Sequence, residues 1–300
     1  MKRIFSIIIG CLLACQVSAA IFVLHDSDES SVRSLSFQLS KRLSVSETPM
    51  PVRQAFFLNN ITRIESQDVV IAIGSKQFEQ ACLVMSRGAI IGLFIGQEEF
   101  QSLSASCTVA HSAVFSGAPL EKRLALLQAI WLDPKPLAVL FSDTLPLDQA
   151  YMQNVAQEYG FEFVFLQTKT DRISVLKSVN RLLEESELVF ALVDSHLFQQ
   201  GNAQDILKLL FHQQKVMVGS SFAFVRAGAL FAIDSDADAK LTLLSDMVAH
   251  WQATGITPPA AYPSILRVSF NPYLVKAHGI VLPSQLFLKE QFGLCSDTEC

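Results

Sequence analysis

The sequence predicts an α/β protein of two lobes, each built on a parallel sheet and the two joined by a hinge, and three observations carry that prediction. Short apolar runs alternate with helical stretches along the chain, the pattern restarts near residue 119, and it yields more strands than one sheet comfortably holds. The first unit opens with Ile21-Phe22-Val23-Leu24, a strand ending at His25-Asp26-Ser27, and a helix follows in which Val32, Leu35, Leu39 and Leu43 recur at helical spacing. Further strands are expected in Val52 to Leu58, in Val69 to Ile73 ending at Gly74-Ser75, and in Ile90 to Ile95 ending at Gly96. Continuous apolar runs such as Val69-Val70-Ile71-Ala72-Ile73 suit strands buried on both faces.

The restart is marked by Pro119, placed where a helix begins, followed by a stripe of Leu120, Leu124, Leu127 and Ile130 that Asp133-Pro134-Lys135-Pro136 terminates. Strands are expected at Leu137 to Phe141, Phe161 to Leu166, Leu188 to Val193 and Val216 to Val218, with helices near 147–159, 171–184 and 198–212, which makes a second Rossmann-like unit. A strand at Ala229 to Ile233, a helix through Leu241, Leu244, Val248 and Trp251, and a strand at Leu266 to Phe270 complete the pattern. No Gly/Ser linker interrupts it, so hinge strands are expected to join the lobes.

Three hundred residues, 50% of them hydrophobic and 17% charged, describe a globular chain able to bury a large core. A net charge of −5 with no Lys/Arg run provides no basic field for phosphates, so nucleic acid is not an expected partner. Residues 1–20 read as a cleavable signal peptide: Lys2 and Arg3 form a positive start, Ile4 to Ala14 an apolar stretch, and Val17-Ser18-Ala19 offers small residues for cleavage. That stretch is well short of the roughly 20 residues that span a bilayer. The expected location is therefore periplasmic. A competing reading takes Leu12-Leu13-Ala14-Cys15 as a lipobox, with Cys15 lipidated. Beyond Cys11 and Cys15, four cysteines remain in an oxidising compartment. Proximity favours Cys82 with Cys107 and Cys295 with Cys300, against the alternative of buried free thiols.

Motifs for chemistry are absent. Six histidines (His25, His111, His196, His212, His250, His278) have no metal-ligand spacing, and Gly219-Ser220-Ser221-Phe222-Ala223 lacks the second glycine of a nucleophile elbow. No phosphate loop appears, and Asp234, Asp236 and Asp238 lack the glycine and glutamate of a calcium loop, so they read as a solvated helix start. No catalytic residue, cofactor or metal is expected.

What remains is a set of small polar residues at the carboxyl ends of strands, where open parallel sheets bind ligands and helix N-termini favour anions. The candidates are Asp26 and Ser27, Gly74 and Ser75, Gln97 beside Gly96, Ser142 and Thr144, Asp194 and Ser195, Ser220, and Asp234 from the hinge side. Their serines suit a ligand carboxylate and Asp194 or Asp234 an ammonium group. The same residue types also serve as ordinary helix caps.

Three further stretches stand out: Val114-Phe115-Ser116-Gly117-Ala118-Pro119-Leu120 running on through Asp133-Pro134-Lys135-Pro136 to Ser142, then Val216-Met217-Val218-Gly219 through Phe224-Val225-Arg226-Ala227-Gly228-Ala229-Leu230, and Val268-Ser269-Phe270-Asn271-Pro272 with Ala277, Gly279-Ile280 and Leu282-Pro283. In this order they resemble the substrate-binding proteins of ABC-type importers, among them members that bind tryptophan and other aromatic amino acids. The resemblance covers essentially the whole chain after the leader. It implies the type I periplasmic-binding fold with three crossings, lobe one holding about 21–115 plus 222–255 and lobe two about 116–221 plus 256–300. It also implies a monomer that closes on a small amino-acid-like solute, makes no bond, and presents the closed form to a membrane permease. A periplasmic sensor that presents its bound state to a membrane receptor or kinase is the alternative. The sequence departs from the family at Val193-Asp194-Ser195, where amino-acid-binding members carry Thr-Asp-Asn, and around Asp234, where Ser235, Asp236 and Leu241 replace aromatic residues and glycine. Either role expects a hinged pair of sheets whose strand tips face each other across solvent and can shut over a guest.

Overall fold

A computed structural model describes residues 19–26, 29–43, 49–199 and 201–296. Residues 1–18, on which the expected signal peptide falls with Cys11 and Cys15, lie outside the described residues, as do Ser27 and Cys300. The first lobe runs β1 (Ile21–His25), α1 (Glu29–Ser40), β2 (Met50–Arg53), α2 (Gln54–Asn60), β3 (Val69–Ile73), α3 (Ser75–Val84), β4 (Ala89–Ile95), α4 (Gln97–Ser104) and β5 (Ala110–Phe115). The second runs α5 (Leu120–Ile130), β6 (Leu137–Ser142), α6 (Gln149–Glu158), β7 (Phe163–Thr168), α7 (Arg172–Leu182), β8 (Leu188–Phe190), α8 (Asn202–His212), β9 (Val216–Gly219), α9 (Phe222–Ala227) and β10 (Phe231–Asp234). The chain then returns to the first lobe for α10 (Ala237–Thr254), and ends in the second with β11 (Leu266–Phe270), α11 (Pro272–Ala277), α12 (Gln285–Phe292) and β12 (Leu294–Ser296).

Sheet one is parallel, in the order β2-β1-β3-β4-β5, and sheet two has the order β12-β11-β10-β9-β8-β6-β7. Sheet two is parallel except where β11 meets β10 antiparallel, Ala232 facing Ser269 and Asp234 facing Arg267. Each sheet is buried on both faces. Sheet one carries α1 and α10 on one side and α2, α3 and α4 on the other. Sheet two carries α5, α6, α11 and α12 on one side and α7, α8 and α9 on the other. The expected stripes are present: Val32, Leu39 and Leu43 of the first helical pattern and Leu120, Leu124, Leu127 and Ile130 of α5 are buried, and Pro119 stands at the N-cap of α5.

Several expectations shift. The run 52–58 is not one strand: it divides at Gln54 into β2, which buries Val52, and α2, in which only Phe57 is buried (2% exposed) while Phe56 keeps 58% of its surface in solvent. The strand β5, the antiparallel register of β11 and the last strand β12 carried no expectation. The segment 222–234, expected in lobe one, lies in sheet two, because β10 pairs with β9. The chain crosses back only at Ser235-Asp236. What draws it back is α10, whose Leu241, Leu244, Met247, Val248 and Trp251 bury against sheet one. At about 2 kcal/mol for each such side chain, this contact contributes on the order of 10 kcal/mol. Residues 260–262 also stay with lobe one, where Ala261 hydrogen-bonds to Ala113 and Phe115 along β5 and Tyr262 packs on Phe115. The three crossings therefore fall near 116–119, 235–236 and 263–265.

Cys82 of α3 is disulfide-bonded to Cys107, 25 residues on and just before β5. Cys295 is also disulfide-bonded. Closing a loop of that size removes denatured-state entropy. Cys107→Ser is expected to cost the oxidised protein about 2–4 kcal/mol, read as a lower urea midpoint; an unchanged midpoint would deny the bridge any part in stability.

Candidate functional site

In a doubly wound sheet the order of strands reverses at one point, and ligands collect outside the carboxyl ends of the strands there. The reversal lies between β1 and β3 in sheet one and between β6 and β8 in sheet two. These ends point toward each other, so most of the sequence candidates meet along one interlobe seam.

The seam is closed and polar. Ser75 Oγ of lobe one lies 2.6 Å from Ser195 Oγ of lobe two. Glu99, in the first turn of α4, accepts from Ser195 N at 2.8 Å and Ser195 Oγ at 2.7 Å, and its other oxygen takes Gly96 N at 3.2 Å. Burial pushes the Glu99 carboxyl above the usual carboxylate range, against the lowering effect of those donors. Gln97 Oε1 accepts from the hydroxyl of Tyr262, itself raised by burial. At Gly96 an added Cβ would stand 2.8 Å from Val193 O and 2.9 Å from Val193 Cβ. Its φ of −75° suits any residue, so close approach of the lobes is what requires glycine there.

The candidates of lobe two brace their own tips. Asp194 is 2% exposed; its Oδ2 accepts from Ser142 N at 2.7 Å, and its Oδ1 accepts from Ser142 Oγ, His196 N and Leu197 N at 3.0, 3.1 and 2.9 Å. A carboxylate so occupied is a strut between the ends of β6 and β8. Thr144 Oγ1 lies 3.0 Å from Ser142 Oγ, and Ser220 is buried at the end of β9, its carbonyl facing Gly117. Arg123 of α5, which carried no expectation, lies over the Phe190 ring and donates to Ala191 O and Gly219 O, tying the ends of β8 and β9. Burial draws its guanidinium down to about 10.

Two candidates stand apart. Asp26 is exposed beside Lys76, whose hydrogen bond and charge lower its pKa. Asp234 belongs to the hinge: its Oδ1 accepts from Lys240 Nζ at 2.8 Å, Gly117 N at 3.2 Å and Ser235 N at 2.8 Å, while Lys240 also donates to Ser235 O at 2.6 Å. Asp236, the middle acid of the three, caps α10 through Ala239 N.

The expected gap between tips is not present in this arrangement. The space among Ser75, Glu99, Thr144, Leu145, Asp194 and His196 measures about 30 Å³. Water fits there; ordinary small-molecule sites start near 300 Å³. Sequence reasoning missed Glu99 because a glutamate three residues past a cap is the ordinary capping-box partner of a helix start, a role it also fills through Gly96 N.

Two expectations follow. Gly96→Ala should hold the lobes apart, raising the radius of gyration in solution scattering while leaving the unfolding midpoint unchanged; identical scattering curves would mean that the contact with Val193 does not govern lobe separation. Asp194→Ala removes four accepted hydrogen bonds from a buried site and should cost about 3 kcal/mol by urea denaturation. A variant as stable as the parent would overturn the strut.

No protein-family model matches the chain, and no curated protein is significantly similar to it. Solved structures do match. A structure described as an ABC domain in complex with L-Trp from Streptococcus pneumonia is 12% identical, with 90% of this chain and 97% of the other covered and a TM-score of 0.67. A ligand-free, open substrate-binding protein with adhesive properties from Clostridium difficile is 13% identical over 89% and 96%, with a TM-score of 0.61. A periplasmic ribose ABC transporter from Conexibacter woesei is 12% identical over 87% and 96%, with a TM-score of 0.51. Among the described residues no helix is long and apolar enough to cross a membrane. The chain has the two-lobed α/β fold of the type I periplasmic binding proteins.

Proposed function

We propose that this protein is the periplasmic solute-binding component of an ABC-type importer, taking a small amino-acid-like solute between its lobes by hinge opening and closure and presenting it to a membrane permease. The observation that carries this reading is the segregation of the cores. Among the described residues each apolar cluster belongs to one lobe or the other, including the contributions of α10 and Tyr262, which return to lobe one after β10. The lobes are thus joined by three single crossings, by the Lys240–Asp234 ion pair at the hinge, and by a seam of hydroxyls, backbone N–H groups and the Glu99 carboxylate. Opening such a seam exposes polar groups that water satisfies, at a net cost of about 1 kcal/mol per hydrogen bond. Opening a shared apolar core would cost far more.

The reading is also supported by the fold, which the L-Trp complex and the ribose transporter share. In it the protein makes and breaks no covalent bond: a solute that prefers the closed arrangement shifts the equilibrium by its differential affinity. The guest must displace the direct contacts of Ser75 and Glu99 with Ser195 and take their place, so Ser75, Glu99, Ser195, Thr144 and Gln97 are the residues assigned to contact it. Asp194, Ser142 and Arg123 hold those contacts in position.

A thermal-shift screen of the purified protein against amino acids and small organic solutes tests this directly. One compound class should raise the melting temperature saturably, by about 5 °C at a concentration roughly 100-fold above Kd. Ser195→Ala should weaken that shift without lowering the ligand-free melting temperature. A flat response across a broad panel, together with scattering that no solute alters, would overturn the proposal.

A further inference from the structure

A space near the hinge, apart from the strand tips, is wide enough for a small molecule. It is a depression of about 350 Å³ on the face of sheet two, where β10 and β11 run antiparallel beyond the edge of α9. Alternate residues of a strand share a face, so Ala232 and Asp234 of β10 and their cross-strand partners Ser269 and Arg267 of β11 form its floor. Phe222, half exposed at the start of α9, forms an aromatic wall, and Ser235 and Asp236 of the second crossing close the end nearest lobe one.

Two features indicate the chemistry of an occupant. The acids of the depression are already compensated: Asp234 by Lys240, and Asp236 by Arg267 Nε at 3.0 Å and by Ala239 N. Arg267, by contrast, gives only its Nε–H to Asp236, and among the described residues no hydrogen bond engages its two terminal amino groups. A guanidinium in that condition matches the two oxygens of a carboxylate. The volume lies at the lower end of small-molecule sites, and the half-exposed ring of Phe222 favours a flat apolar body.

We propose that this depression is a second ligand site, separate from the interlobe seam, that takes a small carboxylate carrying a flat apolar group. The carboxylate meets the terminal amino groups of Arg267, and the apolar body lies against Phe222. The site is independent of any solute held between the tips.

Titrating phenylacetate into the purified protein, followed by NMR shift changes or calorimetry, tests it, with benzyl alcohol and benzylamine as the neutral and cationic comparisons. Saturable binding of phenylacetate is expected, at least tenfold tighter than either comparison. Arg267→Gln and Phe222→Ala should each weaken it about tenfold; Phe222 is half exposed, so its loss leaves the fold intact, and Arg267→Lys should restore part of the affinity. Ser195→Ala, in the seam, should leave it unchanged. No saturable binding, equal binding of all three compounds, or affinity insensitive to both Arg267→Gln and Phe222→Ala would overturn the proposal. Loss in Ser195→Ala alone would also overturn it and would place phenylacetate in the seam, a result that bears on the solute-binding reading instead.

Discussion

The arrangement of the two lobes depends on a buried ion pair at the hinge. Lys240 is 5% exposed on α10 of lobe one, and its ammonium is held by Asp234 and by the carbonyl of Ser235 at the end of β10 in lobe two. The same carboxylate oxygen accepts Gly117 N from the first crossing, so a single charged group fastens two of the three crossings to one point. Such pairs contribute little net stability, because desolvation offsets their attraction, yet removing one partner leaves an uncompensated charge that costs about 3–5 kcal/mol. Its effect is therefore geometric. It fixes where the chain leaves sheet two, and with that the direction in which the strand tips of each lobe face.

Given that pivot, the seam follows from the chemistry of the tips. Parallel strands end in helix starts, and helix starts recruit Ser, Asp and Glu to satisfy backbone N–H groups. When two sheets face each other by their carboxyl ends, these capping groups are the surfaces that meet. Asp194 shows the inward use, its oxygens spent on the loops of its own lobe, and Glu99 shows the outward use, reaching across to Ser195. The glycine at 96 allows the backbones to approach closely enough for that reach. On the proposed reading, closure exchanges water for a few short hydrogen bonds, against which stands the desolvation of a carboxylate.

Most of the fold was legible because each sheet is buried on both faces, so its strands read as unbroken apolar runs: Val69 to Ile73 and Leu137 to Phe141 are strands as expected. Where burial is one-sided the reading failed, as at Ala55-Phe56-Phe57-Leu58, a helix with one buried ring that looks like a strand by composition. Return of the chain to a previous lobe was harder still to read. Nothing local to 222–234 says which sheet it joins, since that is set by pairing with β9 and by the later burial of α10. The candidate residues were legible by position, as polar groups at strand ends, but not by role. Whether Asp194 faces a guest or its own loop depends on side-chain direction, which the sequence pattern does not carry.

The same division explains why solved structures only 12–13% identical to this chain share its fold over nearly its whole length. Layer architecture needs apolar residues at the right period and tolerates wide exchange among them. Recognition does not, because a buried polar group left without its partner costs more than an apolar mismatch. On the proposed reading the residues that select a guest are those that satisfy one another when the lobes touch. A guest that enters must give Glu99 the donors it now takes from Ser195, and must give Ser195 and Ser75 an acceptor. A purely apolar molecule would leave all three unpaired, so the seam selects for solutes carrying both a hydrogen-bond donor and an acceptor within reach of one helix start.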